Sequence, residues 1–169
     1  AEPGSGPLSQ DYSVIQNSVT SAAVADLDGD GKMEILYPSY DGRLHAYWLD
    51  KTEHGGWPYD VPGSGIRFAS EPAVADLDGD GKSEVITGHH VFDGITGADK
   101  TPSVMKNLGG GYAAIADFNA DGKPDIALVS SKMDDQNVSI IDYQANRLIL
   151  APQHAQNGWG GAPTIADFD

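Results

Sequence analysis

The chain has no cysteine. Disulfides, thiolate metal sites and cysteine nucleophiles are excluded, though this absence does not fix the compartment. Basic residues are scarce: 10 Lys and Arg stand against 25 Asp and Glu, for a formal net charge of −15. A basic patch of the kind that binds nucleic acid has no material from which to form. No apolar run approaches the ~20 residues of a membrane-spanning helix, and no long amphipathic helical period occurs. No signal peptide is present, and a start at Ala1 without Met is compatible with the removal of one. A nucleophile elbow, a phosphate loop and a dinucleotide fingerprint are all missing. Ser and His occur without a spacing that marks a triad.

What remains is a length of 169 residues, enough for one domain with a core, and 21 glycines with 10 prolines. That much Gly and Pro without a strict period points to many turns and short strands. The acids are unevenly spread. Eleven of the 25 lie in three short segments, residues 26–34, 76–84 and 117–125. Three divalent cations would add six positive charges and bring −15 to −9, so much of the acidity reads as ligand.

The three segments belong to a repeat. SAAVADLDGDGKMEILYPS runs from Ser21, EPAVADLDGDGKSEVITGH from Glu71, and YAAIADFNADGKPDIALVS from Tyr112. The final APTIADFD, from Ala162, opens a fourth copy. The first aspartates, Asp26, Asp76, Asp117 and Asp167, are 50, 41 and 50 residues apart. A period in the forties fits one four-stranded propeller blade. A short apolar run precedes each acidic segment (22–25, 73–75, 113–116). A second run, rich in β-branched residues, follows it (34–37, 84–87, 125–129). Both are too short for helices and are bounded by turn residues. Asp41-Gly42 is a hairpin signal leading into a third strand over 44–49. Residues 91–93 and 138–142 fill that slot in the next two units. The fourth strand is the least clear. The expected fold is therefore all-β: β-propeller blades of four antiparallel strands, about three blades and the start of a fourth. Residues 1–19 would complete a blade, with units near 20–68, 69–108, 109–157 and an incomplete 158–169.

The acidic segments follow Asp-x-Asp/Asn-x-Asp-Gly-x-x-Glu/Asp. Side chains at positions 1, 3 and 5 of a tight loop point inward: Asp26, Asp28, Asp30; Asp76, Asp78, Asp80; Asp117, Asn119, Asp121. Glycine at position 6 (Gly31, Gly81, Gly122) permits the sharp turn. The position-7 carbonyl (Lys32, Lys82, Lys123) can then face an ion, and the position-9 acid (Glu34, Glu84, Asp125) can close the shell. Oxygen donors alone suit calcium, whereas zinc would want Cys or His. An EF-hand needs an acid at position 12 and flanking helices; position 12 is Tyr37, Thr87 and Leu128, and the flanks are strands. A plain hairpin turn is the competing reading, since Asp-Gly is a common turn signal. Three copies in register, each with the ninth-position acid, favour metal.

These residues resemble the FG-GAP, or VCBS, repeats of integrin α-subunit propellers and many bacterial secreted proteins. Trp159-Gly160-Gly161-Ala162-Pro163 is similar to the Phe-Gly…Gly-Ala-Pro phrase that names the family. Gly109-Gly110-Gly111 keeps part of it. Phe68-Ala69-Ser70-Glu71-Pro72 has lost the glycines, and the first unit has only Ser21-Ala22-Ala23. The resemblance covers about residues 20–169. It implies a propeller with structural calcium between the first two strands of each blade, held by the residues just named. It implies an extracellular or cell-surface recognition or adhesion module for a protein or glycan ligand, without catalytic residues. The alternatives are part of a calcium-dependent polysaccharide lyase and a structural scaffold or fibre subunit. Three blades fall short of a ring, and the sequence ends within the fourth loop, at Asp167 and Asp169. The rest of the propeller is therefore expected from the parent chain or from another chain.

The remaining candidates have plainer readings. His89 and His90, as neighbours on a strand, should point to opposite faces and not chelate together. His45, His54 and His154 are isolated. Trp48, Trp57, Trp159, Tyr37, Tyr40, Tyr47 and Tyr59 suit core packing better than a sugar platform; Trp57-Pro58, in a Gly-rich loop, is the best candidate for exposure. Asn137-Val138-Ser139 is a glycosylation sequon by pattern. Arg43, Arg67 and Arg147 are scattered, not gathered for an acidic sugar. With Asn119 for Asp, the third loop has one negative charge fewer among its four side-chain ligands. It should bind calcium more weakly than the first two; a titration with three equal sites, or with the third tightest, would contradict this.

Overall fold

The computed structural model describes residues 21–38, 43–60, 71–130, 137–154 and 161–166. Tyr40, Asp41-Gly42, Arg67, the 68–70 phrase, Trp159-Gly160 and Asp167 to Asp169 lie outside them, as do the side chains of Asn137 and His154. Among the described residues eleven strands form three antiparallel sheets. The first contains β1 (Ala23–Ala25), β2 (Glu34–Pro38), β3 (Arg43–Tyr47) and β4 (Tyr59–Asp60). The second contains β5 (Ala73–Ala75), β6 (Glu84–Thr87) and β7 (His90–Asp93). The third contains β8 (Gly111–Ala116), β9 (Asp125–Ser130), β10 (Asn137–Asp142) and β11 (Arg147–His154). In each sheet the strands neighbour one another in chain order, the meander of a propeller blade. The described residues contain no α-helix, only a 3-10 turn at Ser103–Met105. The fold is all-β, three successive blades of a partial propeller.

The first three strands of each blade fall where the apolar runs place them. The fourth differs in every blade: two residues in β4, eight in β11, and in the second sheet a single bridge between Phe92 and Asp99. The chain past β7 lacks alternation, turns left-handed at Gly97 (φ 66°) and meets Pro102. Glycine and proline both weaken a strand there.

The core lies between sheets. Leu27, Leu36, Leu44, Ala46 and Trp57 of the first unit meet Val85 and Phe92 of the second. Leu77, Ile86 and Val91 of the second meet Ile126, Leu128 and Ile141 of the third, with Met105 between. Successive residues of β6 serve opposite seams, Val85 the first and Ile86 the second, because side chains alternate across a strand. That is why β6 is buried throughout.

Two expectations fail here. Trp57 is not exposed: it is 6% accessible, its ring edge meets Phe92, and its Nε1–H donates to Gly94 O at 2.9 Å. The loop folds over the first seam, where a large ring can be buried because its one polar atom has a partner. The rings of His89 and His90 are also not on opposite faces; their centroids are 4.2 Å apart. His89 lies in the turn before β7, so strand alternation does not reach it. The other aromatics pack. Tyr37, His45 and Tyr47 stack, Tyr59 lies on Phe92, and Trp48 stacks on His54. His45 Nδ1 is 2.9 Å from Glu53 Oε1, and His54 Nε2 is 2.9 Å from Asp50 Oδ2.

Leu77 is fully buried, whereas Phe118, at the same loop position one unit on, is 37% exposed. Leu77→Ala should cost about 3 kcal/mol in urea unfolding and Phe118→Ala under about 1; equal costs would refute this placement of the core.

Candidate metal centre

Each acidic loop joins the first two strands of its sheet, and the three are built alike. The position-1 aspartate organises the turn. Asp26 accepts Gly29 N–H at 2.7 Å and Gly31 N–H at 2.8 Å, one on each carboxylate oxygen. Asp76 accepts Gly79 and Gly81 N–H in the same way, and Asp117 accepts Asp121 and Gly122 N–H. Positions 3 and 5 each accept the N–H two residues on. Asp28, Asp78 and Asn119 take Asp30, Asp80 and Asp121, which in turn take Lys32, Lys82 and Lys123. Such Asx turns need only a side-chain oxygen, so Asn119 keeps the loop geometry while losing the charge.

The backbone is left-handed twice in each loop. Position 6 lies at φ 84°, 84° and 81°, always as glycine. Position 4 lies at φ 78° in Gly29, 79° in Gly79 and 58° in Ala120. Ala120 thus holds a conformation that costs a non-glycine residue about 1 kcal/mol. The position-9 acids begin β2, β6 and β9, each 1% accessible. One oxygen of each accepts the N–H of position 2: Leu27 and Leu77 at 2.8 Å, Phe118 at 2.9 Å.

This construction brings some of the expected ligands together and leaves others apart. Carboxylate oxygens of Asp26, Asp28 and Glu34 lie within 4.8 Å of one another, and so do those of Asp76, Asp78 and Glu84. Among the described residues no third trio of acids forms; position 3 of the remaining loop is Asn119. Asp30 stands outside the first trio, with its carboxylate turned to the ammonium and N–H of Lys32. Asp80 likewise stands outside the second. Two loops can therefore hold a metal ion on oxygen alone, a donor set that fits a hard divalent cation.

Several side chains at these loops escape a motif reading. Opposite the position-9 acid, on the third strand, stand Trp48, Asp93 and Asp142. Glu84 pairs directly with Asp93, while Trp48 and Asp142 lie one residue beyond the Ile35–Tyr47 and Ile126–Ile141 pairs. Trp48 Nε1–H donates to Asp28 at 3.2 Å. Lys100 Nζ lies 2.9 Å from Glu84 Oε1 and 3.3 Å from both Asp78 and Asp93. Arg147 Nε is 2.9 Å from Asp142 Oδ2. A signal for the two acids was present, since Phe92-Asp93 and Ile141-Asp142 end their strands alike. Nothing in the loop motif points to Lys100.

These neighbours set the electrostatics. Burial pushes the carboxyls of Glu34 and Asp125 above their usual range, against the hydrogen bonds from Leu27 and Phe118. Burial also draws the Lys100 ammonium down, but its hydrogen bonds to Glu84, Asp78 and Asp93 outweigh this and hold it above the usual lysine range. The Tyr143 hydroxyl is pushed up to about 12, first by burial and then by the charge of Glu84.

Residues 26–87 match the family model of the FG-GAP-like repeat. Among curated proteins no sequence relative is found. Solved structures similar in fold include the V. cholerae biofilm matrix protein Bap1, at 19% identity and a TM-score of 0.56 over 86% of this chain and 22% of that one. The exotype rhamnogalacturonan lyase YesX is 23% identical, with a TM-score of 0.57 over 79% of this chain and 23% of that one. The rhamnogalacturonan lyase PL11 of Bacillus licheniformis is 26% identical, with a TM-score of 0.57 over 79% and 24%. This chain spans less than a quarter of each of these proteins. No helix among its described residues is long and apolar enough to cross a membrane.

The raised carboxyls give the metal-free repeat a signed pH dependence. A carboxyl whose pKa is higher folded than unfolded contributes stability below its unfolded value and loses it as pH rises through its folded one. For Glu34 and Asp125 those unfolded values are 4.5 and 3.8. Asp30, Asp50, Asp93, Asp99 and Asp142 are lowered, so their contribution is lost only as pH falls below 3.8. In EGTA, Tm should therefore rise as pH falls from neutral toward the unfolded values of 4.5 and 3.8, then drop as it falls further below 3.8. A flat or falling Tm over the first interval would contradict the assignment.

Proposed function

We propose that this chain is a calcium-stabilised segment of an extracellular β-propeller, acting as a recognition or adhesion module. The observation that carries the reading is the pair of carboxylate trios, Asp26/Asp28/Glu34 and Asp76/Asp78/Glu84, gathered in matching loops without a nitrogen or sulfur donor. Asp30, Asp80 and the Lys32 and Lys82 carbonyls complete these shells. The third loop, with Asp117, Asn119, Asp121, the Lys123 carbonyl and Asp125, binds a weaker third ion. Calcium here is structural: it neutralises carboxylates that otherwise repel across a tight turn, and it stabilises the folded state by mass action. The ligand is a protein or a glycan, and further blades come from the parent chain or another chain. The fold likeness to a biofilm matrix protein supports an extracellular role.

A second reading, part of a calcium-dependent polysaccharide lyase, draws on the likeness to two rhamnogalacturonan lyases. Against it, Lys100 and Arg147 are engaged by acids of their own repeats and do not converge on a site for an acidic sugar. Calorimetry should show calcium uptake by the EGTA-stripped chain, and a glycan array should show binding that EGTA abolishes. Product release from pectin or rhamnogalacturonan would overturn the recognition reading in favour of the lyase.

A further inference from the structure

The first two loops are near duplicates. Residues 26–34 and 76–84 differ only where Met33 faces Ser83, and their backbones turn at the same angles. Their sequences give no reason for unequal affinity. Their surroundings do. In the second loop one ammonium spans three carboxylates: Lys100 Nζ lies 2.9 Å from Glu84, 3.3 Å from Asp78 and 3.3 Å from Asp93. Two of these belong to the Asp76/Asp78/Glu84 trio. In the first loop the residue opposite the ninth-position acid is Trp48, whose neutral indole N–H meets Asp28 at 3.2 Å. Among the described residues no ammonium or guanidinium pairs with Asp26, Asp28 or Glu34. In the third loop the cation pairs with the facing acid alone: Arg147 meets Asp142 and not Asp125.

We propose that Lys100 is a resident cation of the second loop that competes with the divalent ion for Asp78 and Glu84, so that the first loop fills before the second. The inference rests on the calcium reading above and adds an order to it. One Glu84 oxygen is committed to Leu77 N–H, which leaves Oε1 as the free donor, and that is the atom Lys100 occupies. An incoming ion must take Oε1 from the ammonium and move one positive charge out of its own first shell. The geometry supplies a place for that charge. Asp93 holds Thr96 through Oδ1 and Lys100 through Oδ2, and it lies outside the trio. Lys100 is 29% exposed on a flexible four-carbon stem, so it can release Asp78 and Glu84 while keeping Asp93. The second trio is thereby partly neutralised in the absence of metal, whereas in the first loop the ammonium of Lys32 sits on Asp30, outside the trio.

The test is calcium titration of the EGTA-stripped full chain by calorimetry, with Tm measured with and without calcium. The first-loop phase is identified by its loss in Asp26→Asn, and the second-loop phase by its loss in the equivalent Asp76→Asn. In the unaltered chain the first-loop phase should be the tighter. Lys100→Met should tighten the second-loop phase about tenfold and leave the first unchanged, since affinity follows net ligand charge. The same variant should lower Tm in EGTA and enlarge the rise that calcium produces. Lys100→Gln, which removes the charge but keeps a polar head, should do the same and guards against a folding defect in the first variant. An unchanged second-loop phase in both variants, or an equal Tm loss with and without calcium, would overturn the role of Lys100 and leave the calcium reading standing. Absence of calcium binding in every protein would overturn both.

Discussion

The hydrogen bond between the ninth-position carboxylate and the second-position N–H joins loop to core. Glu34, Glu84 and Asp125 are nearly inaccessible, each at the first residue of its strand. In each case one oxygen takes the backbone N–H of a residue whose side chain, in Leu27 and Leu77, is part of a seam. Such a bond to a buried charged group is worth roughly 1.5–3 kcal/mol net, and more is lost if the charge is left unpaired. It closes the loop into a ring, sets the start of the strand and presents the second oxygen to the other acids. The turn, the register of the first two strands and the carboxylate cluster all hang on it. In Glu84 the second oxygen already holds a cation, the Lys100 ammonium, as suits a buried carboxylate with one oxygen left over.

The first three strands of each blade could be read from the sequence because they obey local rules: short β-branched runs, bounded by Asp and Gly, at a repeating distance. The loops could be read because position 6 demands a left-handed backbone, and positions 1, 3 and 5 demand side-chain oxygens. The fourth strand follows no such rule. It is two residues long at Tyr59 and eight at Arg147. The burial of Trp57 escapes a local reading for a related reason. Its neighbours are glycines, and local composition says loop, but the loop crosses a seam that exists only after two sheets have packed.

The candidate centre divides along the same line. Asp26, Asp28, Glu34 and their second-loop counterparts converge as a nine-residue motif requires. Asp30 does not join them, because Lys32 two residues on provides both an N–H and an ammonium at shorter range. Lys100, Asp93, Asp142 and Trp48 lie beyond any local window. Asp93, Asp142 and Trp48 arrive through the pairing of the second and third strands, and Lys100 through its backbone N–H to Val91 O on β7; a tertiary register of this kind leaves little trace in the motif itself.

Contacts between neighbouring repeats have a consequence for how such a chain changes length. Ser83 N–H reaches Leu27 O, Ser83 Oγ reaches Asp26 O, and the Gln144 amide reaches Leu77 O. A Cβ on Gly29 would lie only 3.1 Å from Gly81 O. These stitches tie the edge of one loop to the next repeat, so the grain of the molecule is a whole unit. A duplication or deletion of one complete repeat keeps the loops in phase, although the stitching residue changes from Ser83 at one junction to Gln144 at the next. A partial one throws all of them out at once. The spacings of 50, 41 and 50 residues fit that grain: nine residues come and go between loops, while each loop keeps its length.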